Sequence, residues 1–187
     1  MKASIYELNL TDCRKLKIRD DYSIHRVVYD LFPKLPTGRD FLYRDLGDRE
    51  GVRKILIFSE RNPEAKYGTI KTKEISEKYF DFSKYSFNIK INSAKMKGEK
   101  RYSRENDYEW FLKNSNKWGF QILDLQTINK EALVINKGGL EPRTFNSVIF
   151  SGVLQIIDKE LFKKVFKTGI SHAKAYGFGL LQIIPIN

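Results

Sequence analysis

The chain has 187 residues, 41% of them hydrophobic, enough to bury one large core or two small ones. Its 34 Lys and Arg against 23 Asp and Glu leave a net charge of +11, spread along the chain rather than gathered in a tail, which points to a polyanionic partner. A single cysteine, Cys13, permits no internal disulfide and no cysteine metal cluster, and the two histidines lie far apart. No apolar run reaches the roughly 18 residues of a membrane span, and the opening MKASIYELNL is too short and too polar for a signal peptide. We therefore expect a cytoplasmic protein with no cofactor, no bound transition metal and no membrane segment.

Ala3 to Leu10 alternates as a first strand, and Asp20 or Asp21 then offers a helix N-cap. Ile24, Val27, Val28, Leu31 and Phe32 follow as one apolar stripe of a helix that Pro33 and Pro36 end. Phe41–Arg44 and Val52–Ser59 read as strands joined by a polar, glycine-containing turn, and 62–78 as a short helix and an edge strand. Tyr85–Asn92 alternates cleanly and opens a second series. Ser93–Ser103 reads as a basic loop, Glu105–Lys117 as a helix, and Phe120–Asn129 and Ala132–Asn136 as strands. After the turn signal Lys137-Gly138-Gly139 comes a long strand, Phe145–Ile157, read as broken at Gly152. Asp158 caps a last helix that stops at Gly169, and Phe178–Ile186 closes the chain as a strand.

The second series has the order βαββαβ, the ferredoxin-like or RRM-like arrangement. The first fits the same order with a degraded second helix. We expect an α+β protein of two tandem ferredoxin-like domains, residues 1–80 and 81–187. This expectation rests on element order, since no internal sequence repeat accompanies it.

Two stretches could carry chemistry. At about 100° per residue, Tyr22, His25 and Tyr29 fall together on one flank of the first helix, with Arg26 toward solvent. An imidazole can give or take a proton near neutral pH, a tyrosine hydroxyl can position a reacting group, and an arginine can offset phosphate charge. The same spacing also suits an ordinary half-buried helix histidine between boundary tyrosines. Near the other end, Gly169, Gly177 and Gly179 enclose Ser171, His172 and Lys174. Such a loop can offer N–H groups and positive charge to a phosphate, or simply cap a helix and turn. Lys137 and Arg143 mark a basic hairpin able to lie along a nucleic-acid groove.

The run Tyr22-Ser23-Ile24-His25-Arg26-Val27-Val28-Tyr29-Asp30-Leu31-Phe32-Pro33, followed by Arg39-Asp40-Phe41-Leu42-Tyr43, resembles the N-terminal signature of the CasE family. These are the repeat endoribonucleases of type I-E CRISPR systems. Phe150-Ser151-Gly152-Val153-Leu154 through Gly169 and on to Lys174, Gly177, Gly179, Leu180 and Leu181 resembles that family's closing signature, and Phe87–Asn92 and Trp110–Lys113 also fit. The chain departs from the family at Ser93, where proline is common, and at His172, where a small residue is common.

The resemblance implies tandem ferredoxin-like domains that bind a CRISPR repeat RNA hairpin and cut it at the base of the stem without metal. The cut would proceed by 2′-OH attack, leaving a 5′-OH and a 2′,3′-cyclic phosphate or 3′-phosphate. It places the catalytic histidine at His25 and its tyrosine at Tyr22. RNA contacts are expected from Arg26, Lys137, Arg143, Ser171, His172, Lys174 and Gly177. It further implies that the product stays bound within Cascade beside other subunits. The alternative is a hairpin-binding module of the same fold that does not cut. An RRM-like single-strand binder should carry an RNP1 run, which Phe145–Phe150 lacks.

Overall fold

The computed structural model describes residues 1–33, 39–97, 100–135 and 142–186. It contains two four-stranded antiparallel sheets, so the fold is α+β with two ferredoxin-like units in tandem.

The first sheet has the order β2-β3-β1-β4, built from β1 (Lys2–Asn9), β2 (Phe41–Arg49), β3 (Val52–Ser59) and β4 (Thr69–Glu74). β1 stops one residue earlier than its alternation suggests. Asn9 caps a short helix, α1 (Leu10–Lys15), by accepting from Asp12 N at 2.9 Å. Asp20 caps α2 (Asp21–Asp30) in a reciprocal box with Ser23. The stripe Ile24, Val27, Val28 and Leu31 packs on Tyr6, Leu8, Phe41, Tyr43, Ile55 and Ile57, so α2 lies against one face of this sheet. Residues 60–68, between β3 and β4, hold no helix; of the short helix and edge strand expected in 62–78, the strand forms as β4 and the helix is reduced to a turn that starts only after it. A single 3-10 turn, Glu77–Phe80, leads into the second series.

The second sheet has the order β10-β5-β9-β8, from β5 (Lys84–Asn92), β8 (Phe120–Ile135), β9 (Arg143–Ile156) and β10 (Leu181–Ile186). Two helices accompany it, α3 (Asp107–Ser115) and α4 (Lys159–Thr168). Three expectations change here. The basic stretch after Asn92 is not all loop: β6 (Lys95–Lys97) and β7 (Lys100–Tyr102) pair as a small hairpin. The two strands read at 120–136 are one long strand, β8. Gly152 does not break β9. The partner strand shifts register between Ile122 and Asp124, and a Cβ at Gly152 would sit 2.0 Å from Asp124 O. Glycine is there because a bulge presses backbone against backbone.

α4 ties the two sheets together. Phe162 faces the second sheet, with ring centroids 5.8 Å from Phe120 and 6.0 Å from Tyr85. Phe166, one turn on, reaches Phe58 of the first sheet at 4.9 Å. Full burial of each phenyl group contributes about 1.5–3 kcal/mol. The first sheet is thus held between α2 on one face and α4 on the other. A polar contact adds to this: buried Arg44 of β2 donates from Nη1 to the side-chain oxygens of Asn88 and Gln182 on the second sheet. Burial pushes the Arg44 guanidinium down to about 10. No helix among the described residues is long and apolar enough to cross a membrane.

Candidate active site

The glycine-bracketed loop folds back over the start of the chain. Its neck is closed by Ile170 N donating to Gly179 O at 2.9 Å, and Gly179 N donates to Lys90 O of β5 at 2.8 Å. Between these points a 3-10 turn, Lys174–Tyr176, is set against α2 and β2. Here His25 Nδ1 lies 2.7 Å from Ala175 O, across 150 residues of chain. A carbonyl only accepts, so Nδ1 carries the hydrogen and the neutral ring has its lone pair on Nε2. The Tyr43 hydroxyl donates to the same carbonyl at 3.0 Å. Burial holds the Tyr43 phenol well above its ordinary pKa, so it stays a donor.

Aromatic rings hold the imidazole on several sides. Tyr29 lies 4.3 Å from it, Tyr176 5.0 Å, and Tyr22 5.8 Å in a stacked arrangement. Tyr176 packs in turn on Phe145 at 5.2 Å. Tyr22, Tyr176 and Ala173 border a small buried cluster of Ile135, Phe145 and Phe178. The turn end of the β8–β9 strand pair is thereby brought to His25, with Arg143 exposed two residues from Phe145. Arg26 is exposed, its guanidinium 6.0 Å from the Tyr22 ring. Lys174 is half-buried, and burial together with the charge of Arg39 lowers its pKa. Among the described residues neither Lys174 nor Arg39 makes a salt bridge to a carboxylate, and the two cations lie close enough to repel each other.

The structure thus brings Tyr22, His25, Lys174 and Gly177 together, with Arg26 and Arg143 at the margin. Gly177 is buried, where a Cβ would lie 3.2 Å from the Tyr43 ring. Ser171 and His172 sit on the far side of the loop. The Ser171 hydroxyl donates to Asn92 O at 3.0 Å, and His172 lines a separate cavity with Arg104 and Trp110. Lys137 lies outside the described residues. Sequence reasoning missed Tyr43 and Ala175: the first reads as a core aromatic of a strand, and the second acts through its backbone. Among the described residues no three His, Cys, Asp or Glu side chains converge as a metal site.

Tyr43→Phe tests the positioning. With one hydrogen bond to Ala175 O gone, stability should fall by about 1 kcal/mol. Any reaction that uses His25 should slow several-fold while ligand affinity holds, as read by thermal melting and single-turnover kinetics.

A comparison with curated proteins gave no match. Among solved structures, the chain is similar to Cse3 of Thermus thermophilus bound to an RNA representing a pre-cleavage complex (TM-score 0.82, 20% identity, 99% of this chain and 100% of that one). It is also similar to the CRISPR-associated protein Cas6e of Escherichia coli K-12 (TM-score 0.78, 22% identity, all of both chains). A chain of a CRISPR RNA-guided surveillance complex matches as well (TM-score 0.72, 18% identity, all of both chains). At these identities the likeness concerns the fold. The profile of the family described as CRISPR associated protein matches residues 4–185, nearly the whole length, and the chain belongs to that family.

Proposed function

We propose that this protein is a cytoplasmic CRISPR RNA-processing endoribonuclease. It binds the repeat hairpin of precursor crRNA and cuts at the base of the stem by metal-independent attack of a ribose 2′-OH. Residues 1–80 carry the catalytic helix, and residues 81–187 carry the loop and the hairpin that face it. The observation that carries this reading is the pinned imidazole. Ala175 O fixes the His25 tautomer, and Lys174, the preceding residue, sets positive charge beside it.

Neutral His25 takes the 2′-OH proton at Nε2. The 2′-oxygen bonds to the adjacent phosphorus as the bond from phosphorus to the 5′-oxygen breaks. The leaving 5′-oxygen takes a proton from water, and His25 returns its own to the solvent. One product ends in a 2′,3′-cyclic phosphate, the other in a 5′-OH. Proton transfer by a positioned side chain supplies about 10²–10⁴-fold in rate. Tyr22, stacked on His25, orients the reacting ribose, and Lys174 offsets charge on the phosphate. Arg26, Arg143 and Lys137 grip the stem. The solved proteins above are described with bound RNA and as part of a surveillance complex, which supports an RNA hairpin and other Cascade subunits as partners.

A labelled repeat hairpin, incubated with the purified protein in EDTA, tests the reading. Cleavage of one equivalent with the product still bound supports it, and intact RNA in a protein–hairpin complex would favour the non-cutting module. Lys174→Ala should weaken hairpin binding or slow cleavage by about 1 kcal/mol or more, as a charge-assisted contact does. Wild-type affinity and rate in a folded Lys174→Ala protein would remove that contact.

A further inference from the structure

The cavity behind the loop has a volume of about 480 Å³, within the ~300–1,000 Å³ of small-ligand sites, and is lined by Ala94, Arg104, Glu105, Asn106, Trp110 and His172. Its floor is built rather than incidental. The Arg104 guanidinium lies over the Trp110 indole, 3.6 Å from the ring centroid. Its Nη1 donates to Asn92 O at 2.9 Å and to Asp107 Oδ1 at 3.4 Å. Its other nitrogens make no hydrogen bond among the described residues, which leaves a flat cationic edge with donors to spare. Ser171 shares the Asn92 carbonyl, so loop and floor hang on one backbone oxygen.

His172 forms the opposite wall and is exposed. The residues on either side of it, Ser171 and Ala173, both take left-handed backbone conformations (φ 70° and 60°) that non-glycine residues avoid. The chain holds this unfavourable turn, and the turn presents an imidazole across from a guanidinium. His172 to Ala175 spans three residues, at most about 10 Å. The cavity therefore opens one short step from the carbonyl that holds His25.

We propose that this cavity takes one unpaired nucleobase next to the cleaved phosphate, stacked on His172, with acceptors on its edge facing Arg104. The proposal rests on the endoribonuclease reading. Arginine pairs with the edge acceptors of a base, and an imidazole stacks on any base. A hairpin with a single-stranded flank should then bind more tightly than the same hairpin ending flush at the stem.

The test uses the full chain carrying His25→Ala, so that RNA stays intact. Three hairpins are compared: flush-ended, with a 5′ flank, and with a 3′ flank, the flanks bearing 2-aminopurine at the first unpaired position. One flank should raise affinity about tenfold and change the probe's fluorescence; which one identifies the side of the stem. Adding His172→Ala should abolish that gain and leave flush-hairpin affinity unchanged, whereas His172→Phe, which keeps a stacking ring, should retain it. Equal affinity for all three RNAs would overturn the proposal. So would a flank gain that survives His172→Ala, or one that His172→Phe loses as fully as alanine does. Cleavage by the unsubstituted protein is scored separately, so the pocket and the nuclease reading can fail independently.

Discussion

Replacing His25 by alanine should lower the single-turnover cleavage rate by about 10²–10⁴-fold while hairpin affinity stays within a few-fold of the unsubstituted protein. The separation of rate from affinity follows from the geometry. His25 is half-buried among tyrosine rings and bonded to the protein's own backbone, so its loss removes the proton acceptor rather than a main grip on RNA. The proposed grip on the stem comes from Arg26, Arg143 and Lys174, which the substitution leaves in place. The measurement is a rate at saturating protein beside a binding isotherm for the same hairpin. Unchanged cleavage would take His25 out of the chemistry. Loss of binding equal to loss of rate would make it a structural residue.

The second large effect is expected at the neck of the loop. Gly179 has φ +83°, and a Cβ there would lie 2.2 Å from Ile170 O. Its backbone closes the loop twice, accepting from Ile170 N and donating to Lys90 O. Gly179→Val adds a β-branched side chain in a left-handed conformation and a steric clash, together about 3 kcal/mol or more. For a chain of this size that is roughly 10 °C in melting temperature. Cleavage should fall further than the melting shift explains, because the displaced neck carries Ala175 O away from His25. A Gly179→Val protein with unchanged melting and rate would show that the neck does not set the site.

The fold was legible where apolar periodicity is strong. The stripe from Ile24 to Phe32 specifies α2 and its buried face, and the alternation Tyr85, Phe87, Ile89, Ile91 specifies β5. Element order then suffices for the ferredoxin-like topology, since each sheet places its strands as that order requires. The β6–β7 hairpin was not legible because a basic, polar stretch carries no apolar alternation. Gly152 misled because a glycine in a strand marks a bulge without saying which strand bulges, and here it is the neighbour.

The candidate site was half legible. His25 and Tyr22 announce themselves by residue type on one helix flank, and Lys174 by its place among glycines. The partner of His25 does not, because any residue at 175 would supply the same carbonyl. Tyr43 looks like core because it is core, and only its hydroxyl, 132 residues from its acceptor, has a second task. The direction of His172 was equally hidden, because two left-handed non-glycine residues turn it away from His25 toward Arg104 and Trp110.

The central claim is that the RNA's own 2′-OH is the nucleophile and His25 its proton acceptor. The most direct test is a repeat hairpin with a single 2′-deoxy substitution at the nucleotide immediately 5′ of the mapped cut. The account predicts that this RNA binds with unchanged affinity and is not cut, while the all-ribose hairpin is cut in EDTA to a 2′,3′-cyclic phosphate and a 5′-OH. Cleavage of the deoxy-substituted hairpin at the same position would contradict it, because an external water would then be the attacking group.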